Sequence, residues 1–322
     1  MTSVGREPLR PGVEIAPGYE ILGHLSRGRR LDVYDAWSRA RGCRCIVKAI
    51  RPERAGEERA RDLLLREGRL LERLSHPHLV RGYETMLEPA PLIVMETLAG
   101  QTLAHMIEVD RSELSPEDVA QLGIQLGSAI RYLHNEGYLH LDLKPSNVVA
   151  EAGRARVIDL SLARPPGPAP PGVGTWCYLA PEQAAGGELG PAADVWGIGV
   201  VLYEAATGEH AFRDPDLLES ETWSEPDEVE DEPASWVSDD GDGGPYPQLS
   251  ERAQRVGDLR ELPPGLAELI DSCLAPDPAR RPAVEELLAG LERTGGIPVG
   301  ERRWDRGELA TPEDRRVEIR VL

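Results

Sequence analysis

The chain predicts a two-lobed α+β fold, with a small β-rich N-lobe over residues 18–96 and a larger helical C-lobe over residues 97–294. Three features lead there. Its 322 residues suit two domains or one bilobal unit and allow a substantial core. From Tyr19 to Ile50, short apolar stretches are broken by Gly and Arg, the pattern of strands and hairpins. Beyond Gly100 the character changes to helix, with recognisable start and stop signals.

Residues 1–17, rich in Pro and Gly, read as a leader. In residues 57–74, Leu63, Leu64, Leu70, Leu71 and Leu74 fall at helical spacing, so a helix follows the first strands. Tyr83–Leu87 and Leu92–Glu96 read as two further strands, and His76-Pro77-His78 as the loop before them. Ser115-Pro116-Glu117-Asp118 opens a helix with a hydroxyl cap, Pro at the first position and an acid three residues on. That helix should run to about Glu136 and stop at Gly137. Further helices are expected at Ala192–Thr207, ending at Gly208, and at 264–275 and 282–293. Residues 214–243 carry thirteen carboxylates and no Lys or Arg, the composition of an unfolded acidic insertion. Trp223, Trp236 and Tyr246 punctuate it. Residues 295–322 form a C-terminal tail whose end, Val317–Val321, alternates like a strand.

Composition excludes several classes. At 40% hydrophobic the chain is ordinary globular material. Its longest apolar runs, such as Gly197–Tyr203, fall well short of the ~20 residues of a membrane span. The N-terminus, with Arg6 and Glu7, lacks the apolar core of a secretory signal. The four cysteines form no CxxC pair, and Cys43 and Cys45 share one strand face. A cytoplasmic protein is expected. The net charge of −20 argues against nucleic acid or an anionic membrane as partner. Only two of the 36 basic residues are Lys, Lys48 and Lys144, which asks whether each sits where a compact ammonium is needed.

Lys144 lies in Tyr138-Leu139-His140-Leu141-Asp142-Leu143-Lys144-Pro145-Ser146-Asn147. An acid is followed by a cation two residues later and an amide three beyond. Asp142 suits a hydroxyl proton, Lys144 a transferring phosphoryl group, and Asn147 a Mg²⁺ ion. Twelve residues on, the apolar strand Val157-Ile158 ends in Asp159, a carboxylate that suits a second metal ligand.

This stretch resembles the catalytic loop of the eukaryotic-type (Hanks-type) Ser/Thr protein kinases, and other motifs of that family follow in order over about 18–293. Lys48, in Cys45-Ile46-Val47-Lys48, matches the strand lysine that holds the α- and β-phosphates. Glu67 matches its ion-pair partner. Met95-Glu96-Thr97-Leu98 is similar to the interlobe hinge, with Met95 as gatekeeper and main-chain groups of Glu96 and Leu98 facing adenine. Gly174–Glu182 resembles the substrate-side loop of the Ser/Thr branch, Asp194–Gly199 the helix that props the catalytic loop, and Arg281 the late arginine that pairs with the Glu182 position. The resemblance implies ATP and Mg²⁺ as cofactors, Asp142 and Lys144 as catalytic residues, and Asn147 and Asp159 as metal ligands. Lys48, Glu67, Gly28, Val33, Ile46, Met95, Glu96, Leu98 and Val149 would bind the nucleotide. A protein substrate is implied, and the acidic insertion suits a basic one. His140 is expected in the core and not as a base.

The chain departs from the family in four places. The glycine-rich loop keeps only Gly28, with Ser26 and Leu31 where glycines usually stand. Its Arg27, Arg29 and Arg30 read either as phosphate contacts or as a solvated loop tip. Ile46 replaces a small residue against adenine. His140-Leu141-Asp142 stands for HRD and Asp159-Leu160-Ser161 for DFG. Leu141 removes the arginine that receives an activation-segment phosphate, and the segment offers few acceptors, so activity without that modification is expected. The alternatives are a pseudokinase acting as a scaffold and a small-molecule phosphotransferase.

Overall fold

In the computed structural model, which describes residues 7–28, 30–109, 114–212 and 246–294, six antiparallel strands form the N-lobe sheet. They are β1 (Glu14–Ala16), β2 (Tyr19–Arg27), β3 (Leu31–Ser38), β4 (Cys43–Ile50), β5 (Gly82–Met86) and β6 (Leu92–Glu96), in the order β1-β2-β3-β4-β6-β5. Because β side chains alternate, the register sorts residues by face. Tyr34 pairs with Val47 and Val47 with Val94, placing all three in the outer core with Ile21, Ala36 and Cys45. Val33 pairs with Lys48, Asp35 with Ile46 and Ile46 with Met95, placing these on the face towards the C-lobe.

The sheet starts earlier than expected. Residues 14–16, read as leader, form β1 against β2, and the Leu9 amide donates to the Tyr34 hydroxyl at 3.1 Å. A three-residue strand is too short to show alternation, so composition alone concealed it.

Helix α1 (Glu58–Arg73) lies where 57–74 predicted it and buries Leu64, Leu70 and Leu71. It packs on β5 with unusually little between them. A Cβ on Gly82 would lie 2.7 Å from Leu71 Cβ, so only glycine admits the helix.

The C-lobe opens with α2 (Leu103–Glu108) and α3 (Pro116–Asn135). The Ser115 hydroxyl accepts the Asp118 amide at 3.1 Å, satisfying one of the helix's orphan donors. Gly137, at φ +83°, takes the left-handed turn beyond the end. β7 (Gln101–Thr102), directly before α2, forms one small sheet with β8 (Val148–Glu151) and β9 (Arg154–Val157), which lie between α3 and α4 (Pro181–Ala185). β10 (Gly167–Ala169) pairs with β11 (Gly187–Leu189). Helix α5 (Pro191–Thr207) is buried all round from Ala193 to Ala206 and ends at Gly208 in the left-handed conformation. A helix apolar on every side belongs at the centre of a lobe. Against it pack α2, α3, α6 (Val256–Leu259) and α7 (Pro264–Cys273), and α8 (Val284–Thr294) packs in turn on α3 and α7.

Among the shortest elements, α2, α4, α6, β7, β8, β10 and β11 were not anticipated, since two to six residues carry no readable period, while β9 ends at Val157, where the expected apolar strand before Asp159 begins. The acidic segment 214–243, the tail 295–322 and Arg29 lie outside the described residues. Among the described residues no helix is long and apolar enough to cross a membrane.

Candidate active site

The loop between α3 and β8 is held from below by Asp194 of α5. This buried carboxylate accepts the main-chain amides of His140 (2.9 Å) and Leu141 (2.8 Å) and bonds His134 Nε2 (2.8 Å). From the other side, the Gln183 amide nitrogen donates to the carbonyls of Leu141 (2.9 Å) and Val173 (2.7 Å). These bonds overdetermine a strained backbone: Leu141 sits at φ +64°, which a non-glycine residue adopts only when its surroundings demand it. His140 is fully buried, and its Nδ1 accepts the Asp142 amide at 3.2 Å.

Above this support the polar groups converge. The Thr175 hydroxyl donates to Asp142 Oδ1 at 2.6 Å and accepts from Lys144 Nζ, also at 2.6 Å. Lys144 Nζ lies 3.4 Å from Asp142 Oδ2. The Asn147 amide nitrogen donates to Asp142 Oδ2 and to the Asp142 carbonyl, each at 2.9 Å. That leaves Asn147 Oδ1 as an acceptor, the ligand type that Mg²⁺ takes. A carboxylate and an ammonium converging on one hydroxyl can orient it and take its proton.

Across the cleft, Lys48 Nζ meets both Glu67 oxygens (3.0 and 2.9 Å) and Asp159 Oδ1 (3.1 Å). Burial alone would lower the Lys48 pKa, but the carboxylates of Asp159 and Glu67 outweigh it and hold the ammonium charged. Burial pushes the Glu67 carboxyl above its ordinary value, with Lys48 pulling it back. For Asp159 burial acts upward too, but Lys48 and the Ser161 amide hold it far below the usual carboxylate range. The Leu160 amide donates to Glu67 Oε1 at 3.2 Å, and Asp159 adopts φ +66°. Leu160 is buried and therefore fills an apolar slot.

A cavity of about 490 Å³ joins the two groups. It brings together Gly28, Val33, Lys48, Glu67, Asp142, Lys144 and Asp159, all singled out from sequence. Ile46, Met95, Glu96, Leu98 and Val149 are not among its walls. Ile46 and Leu98 are half-buried against the main core, and Met95 and Val149 are buried. The Glu96 side chain turns to Arg156 and accepts the Arg81 amide at 2.7 Å.

Among the other walls, Ser26, Arg30 and Leu31 belong to the expected glycine-rich loop and Gly174–Tyr178 to the expected substrate-side loop, whereas sequence reasoning gave no site role to Ala60, Leu63, Leu64 and Leu162. Leu63 belonged to the predicted helical stripe, yet periodicity cannot tell core from cleft. For the loop arginines, neither expected reading holds at Arg27. Its guanidinium pairs with buried Asp32, with Nε–Oδ1 and Nη2–Oδ2 both 2.8 Å. Arg30 Nε lies 3.4 Å from Glu57 Oε2.

The segment from Asp159 to Glu182 is tied at several points. Leu139 and Arg164 exchange both main-chain bonds (2.8 and 3.1 Å), and β10 pairs with β11. Glu182 pairs bidentately with Arg281 (2.6 and 2.8 Å), whose guanidinium also lies over the Trp196 ring.

A two-lobed fold with this cleft is the architecture of a protein kinase domain. A family model described as protein kinase domain matches residues 19–290, and the chain belongs to that family. Its relatives include the probable serine/threonine-protein kinase PkwA of Thermomonospora curvata, 32% identical over 297 residues, which cover 88% of this chain and 35% of that protein. Serine/threonine-protein kinase PknA of Mycobacterium tuberculosis is 27% identical over 285 residues, covering 84% of this chain and 60% of PknA. The probable serine/threonine-protein kinase PknB of Bifidobacterium longum is 32% identical over 217 residues, covering 62% and 31%. The chain thus spans about a third of the length of PkwA.

Proposed function

We propose that this protein is an ATP-dependent serine/threonine protein kinase. The observation that carries the reading is the Asp142–Thr175–Lys144 triangle, facing the Lys48–Glu67–Asp159 cluster across one cavity. Asp142 orients the substrate hydroxyl and takes its proton as the oxygen attacks the γ-phosphorus and the bond to the leaving ADP breaks. Lys144 stabilises charge on the migrating phosphoryl group, and Lys48, positioned by Glu67, binds the α- and β-phosphates. Asn147 and Asp159 would hold Mg²⁺, which supplies charge neutralisation between the phosphates. Val33, Ile46, Met95 and Val149, with main-chain groups of Glu96 and Leu98, would receive adenine, and Gly28 the phosphates.

The many ties on the 159–182 segment support activity without its phosphorylation, because protein contacts already do the ordering a phosphate would do. Leu141, 3% exposed and deep in the core, supports the same reading. The thirteen carboxylates of 214–243 favour basic protein substrates. A pseudokinase scaffold that binds nucleotide poorly is the second reading, favoured by the bulk of Ile46 and by Met95, Glu96, Leu98 and Val149 lying apart from the cavity walls.

Incubation with Mg²⁺ and γ-labelled ATP, alone and with basic proteins, tests the proposal beside Asp142→Asn and Lys48→Met. Label transfer by the wild type and its loss in both variants is expected. Neither transfer nor a nucleotide-induced melting shift would defeat the enzyme reading, and binding without protein phosphorylation would point to small-molecule acceptors.

A further inference from the structure

The loop over the phosphate side of the cavity has lost two of the glycines its family uses, yet it is held in one shape. Arg27 and Asp32 stand directly opposite each other at the end of the β2–β3 ladder. Their side chains lie on the outer face of the sheet, away from the cavity. Asp32 is only 1% exposed and is satisfied on every side. Arg27 binds both of its oxygens at 2.8 Å, His24 Nε2 lies 3.0 Å from Oδ1, and the Tyr34 hydroxyl donates to Oδ2 at 3.2 Å. The Tyr34 oxygen in turn accepts the Leu9 amide, anchoring the cluster to the N-terminal segment.

Beyond this pair the turn is closed by main chain. The Gly28 amide donates to the Leu31 carbonyl at 2.9 Å. Arg51 caps the turn, its amide donating to the Arg30 carbonyl (2.9 Å) and its side chain to the Gly28 carbonyl (3.1 Å). Ser26, Gly28, Leu31 and Val33 of the same hairpin are cavity walls. A Cβ on Gly28 would meet only the Leu31 carbonyl, at an ordinary 3.5 Å, so the fold does not itself require glycine there. Space for an approaching ligand remains the use of a glycine at this position.

We infer that the Arg27–Asp32 pair is a positioning device: from the outer face it braces the hairpin over the cavity, so that the phosphate-facing backbone of Gly28 and Leu31 is preformed and not ordered by the nucleotide. The inference rests on the ATP reading above. A glycine-rich loop pays its ordering entropy when it closes on phosphate, whereas a braced hairpin has paid it on folding. Burial alone would raise the Asp32 pKa, but Arg27 and His24 hold it below the usual carboxylate range, so the brace keeps its charge. Neither residue touches the cavity. Both act through the main chain between them.

The test compares full-length wild type, Arg27→Met, Asp32→Asn and Asp32→Glu. Two readouts are taken, amide hydrogen exchange at Gly28 and Leu31 without nucleotide, and KM for ATP against kcat. Arg27→Met and Asp32→Asn should speed exchange at Gly28 about tenfold or more and raise KM about fivefold, with kcat at saturating ATP within about twofold. Asp32→Glu, which keeps the charge, should recover part of both. Arg27 is the more exposed partner, so Arg27→Met carries the test if Asp32→Asn fails to fold. Unchanged exchange, or faster exchange with unchanged KM, would overturn the brace. A wild type that binds no ATP would instead overturn the kinase reading, and the exchange measurement, which needs no nucleotide, separates the two failures.

Discussion

Gly68 on α1 and Thr85 on β5 touch where a side chain is missing. A Cβ on Gly68 would fall 2.9 Å from Thr85 Cγ2 and 3.1 Å from its Cβ, and closer still to its hydroxyl. Gly68 follows Glu67, so this contact sets the height of the ion-pair carboxylate above Lys48. Gly68→Ala should push α1 off the sheet, costing about 1–3 kcal/mol and lowering kcat. The Thr85 hydroxyl is buried without a hydrogen-bond partner among the described residues, so Thr85→Ala alone should be close to neutral. The double variant should recover stability and rate, as measured by urea unfolding and label transfer. No recovery would mean that the contact does not position Glu67.

The Glu182–Arg281 pair ties the substrate-side segment to the loop before α8. The Arg281 side chain is fully buried and also donates to the carbonyls of Ala275 and Ala192. Arg281→Met leaves those acceptors and Glu182 without a donor and should cost about 3–5 kcal/mol. Glu182→Gln keeps a hydrogen-bond acceptor and should cost less. Denaturant midpoints give the ranking, and equal costs would refute it.

Leu141→Arg restores the residue usual in the family, but here the side chain enters the apolar core. It should destabilise the protein by about 3 kcal/mol or more and should not make the rate depend on phosphorylation of the 159–182 segment. A large rise in rate on stoichiometric phosphorylation, in wild type or variant, would count against that reading.

His76 gives a pH dependence of definite sign. Burial, with His78 and Arg131 nearby, lowers its pKa to about 4, and its ring stacks on Tyr132. Between pH 6.5 and 4 the unfolded chain therefore binds more protons at this site than the folded one, so stability falls as pH drops through that window. Thermal melts from pH 7.5 to 4.5 should show a shallower acid loss in His76→Asn than in wild type. Identical slopes would remove His76 as the cause.

The local chemistry was legible where residue type and short spacing suffice. The Ser115 cap, the stops at Gly137 and Gly208, and the stretch from Asp142 to Asn147 lie within one or two turns of the chain, and the structure keeps them together. The two lysines singled out by their rarity both face the cavity. Val33 and Lys48, both assigned to the nucleotide by the family resemblance, pair directly across β3 and β4 and so share one face. β1 and the two-residue β7 escaped, being shorter than any period that could announce them.

The sequence by itself determined which groups are present and, within each element, which face they share. Tertiary structure decided whom they meet. Lys48 and Asp159 stand 111 residues apart, and Arg281 and Glu182 99 apart. Arg27, open to two readings in the sequence, turned to the outer face because Asp32 there is buried among His24 and Tyr34 and demands a cation. The reason is physical. Periodicity is a property of one segment, whereas the partner of a charge depends on which surfaces pack together and how much water they exclude.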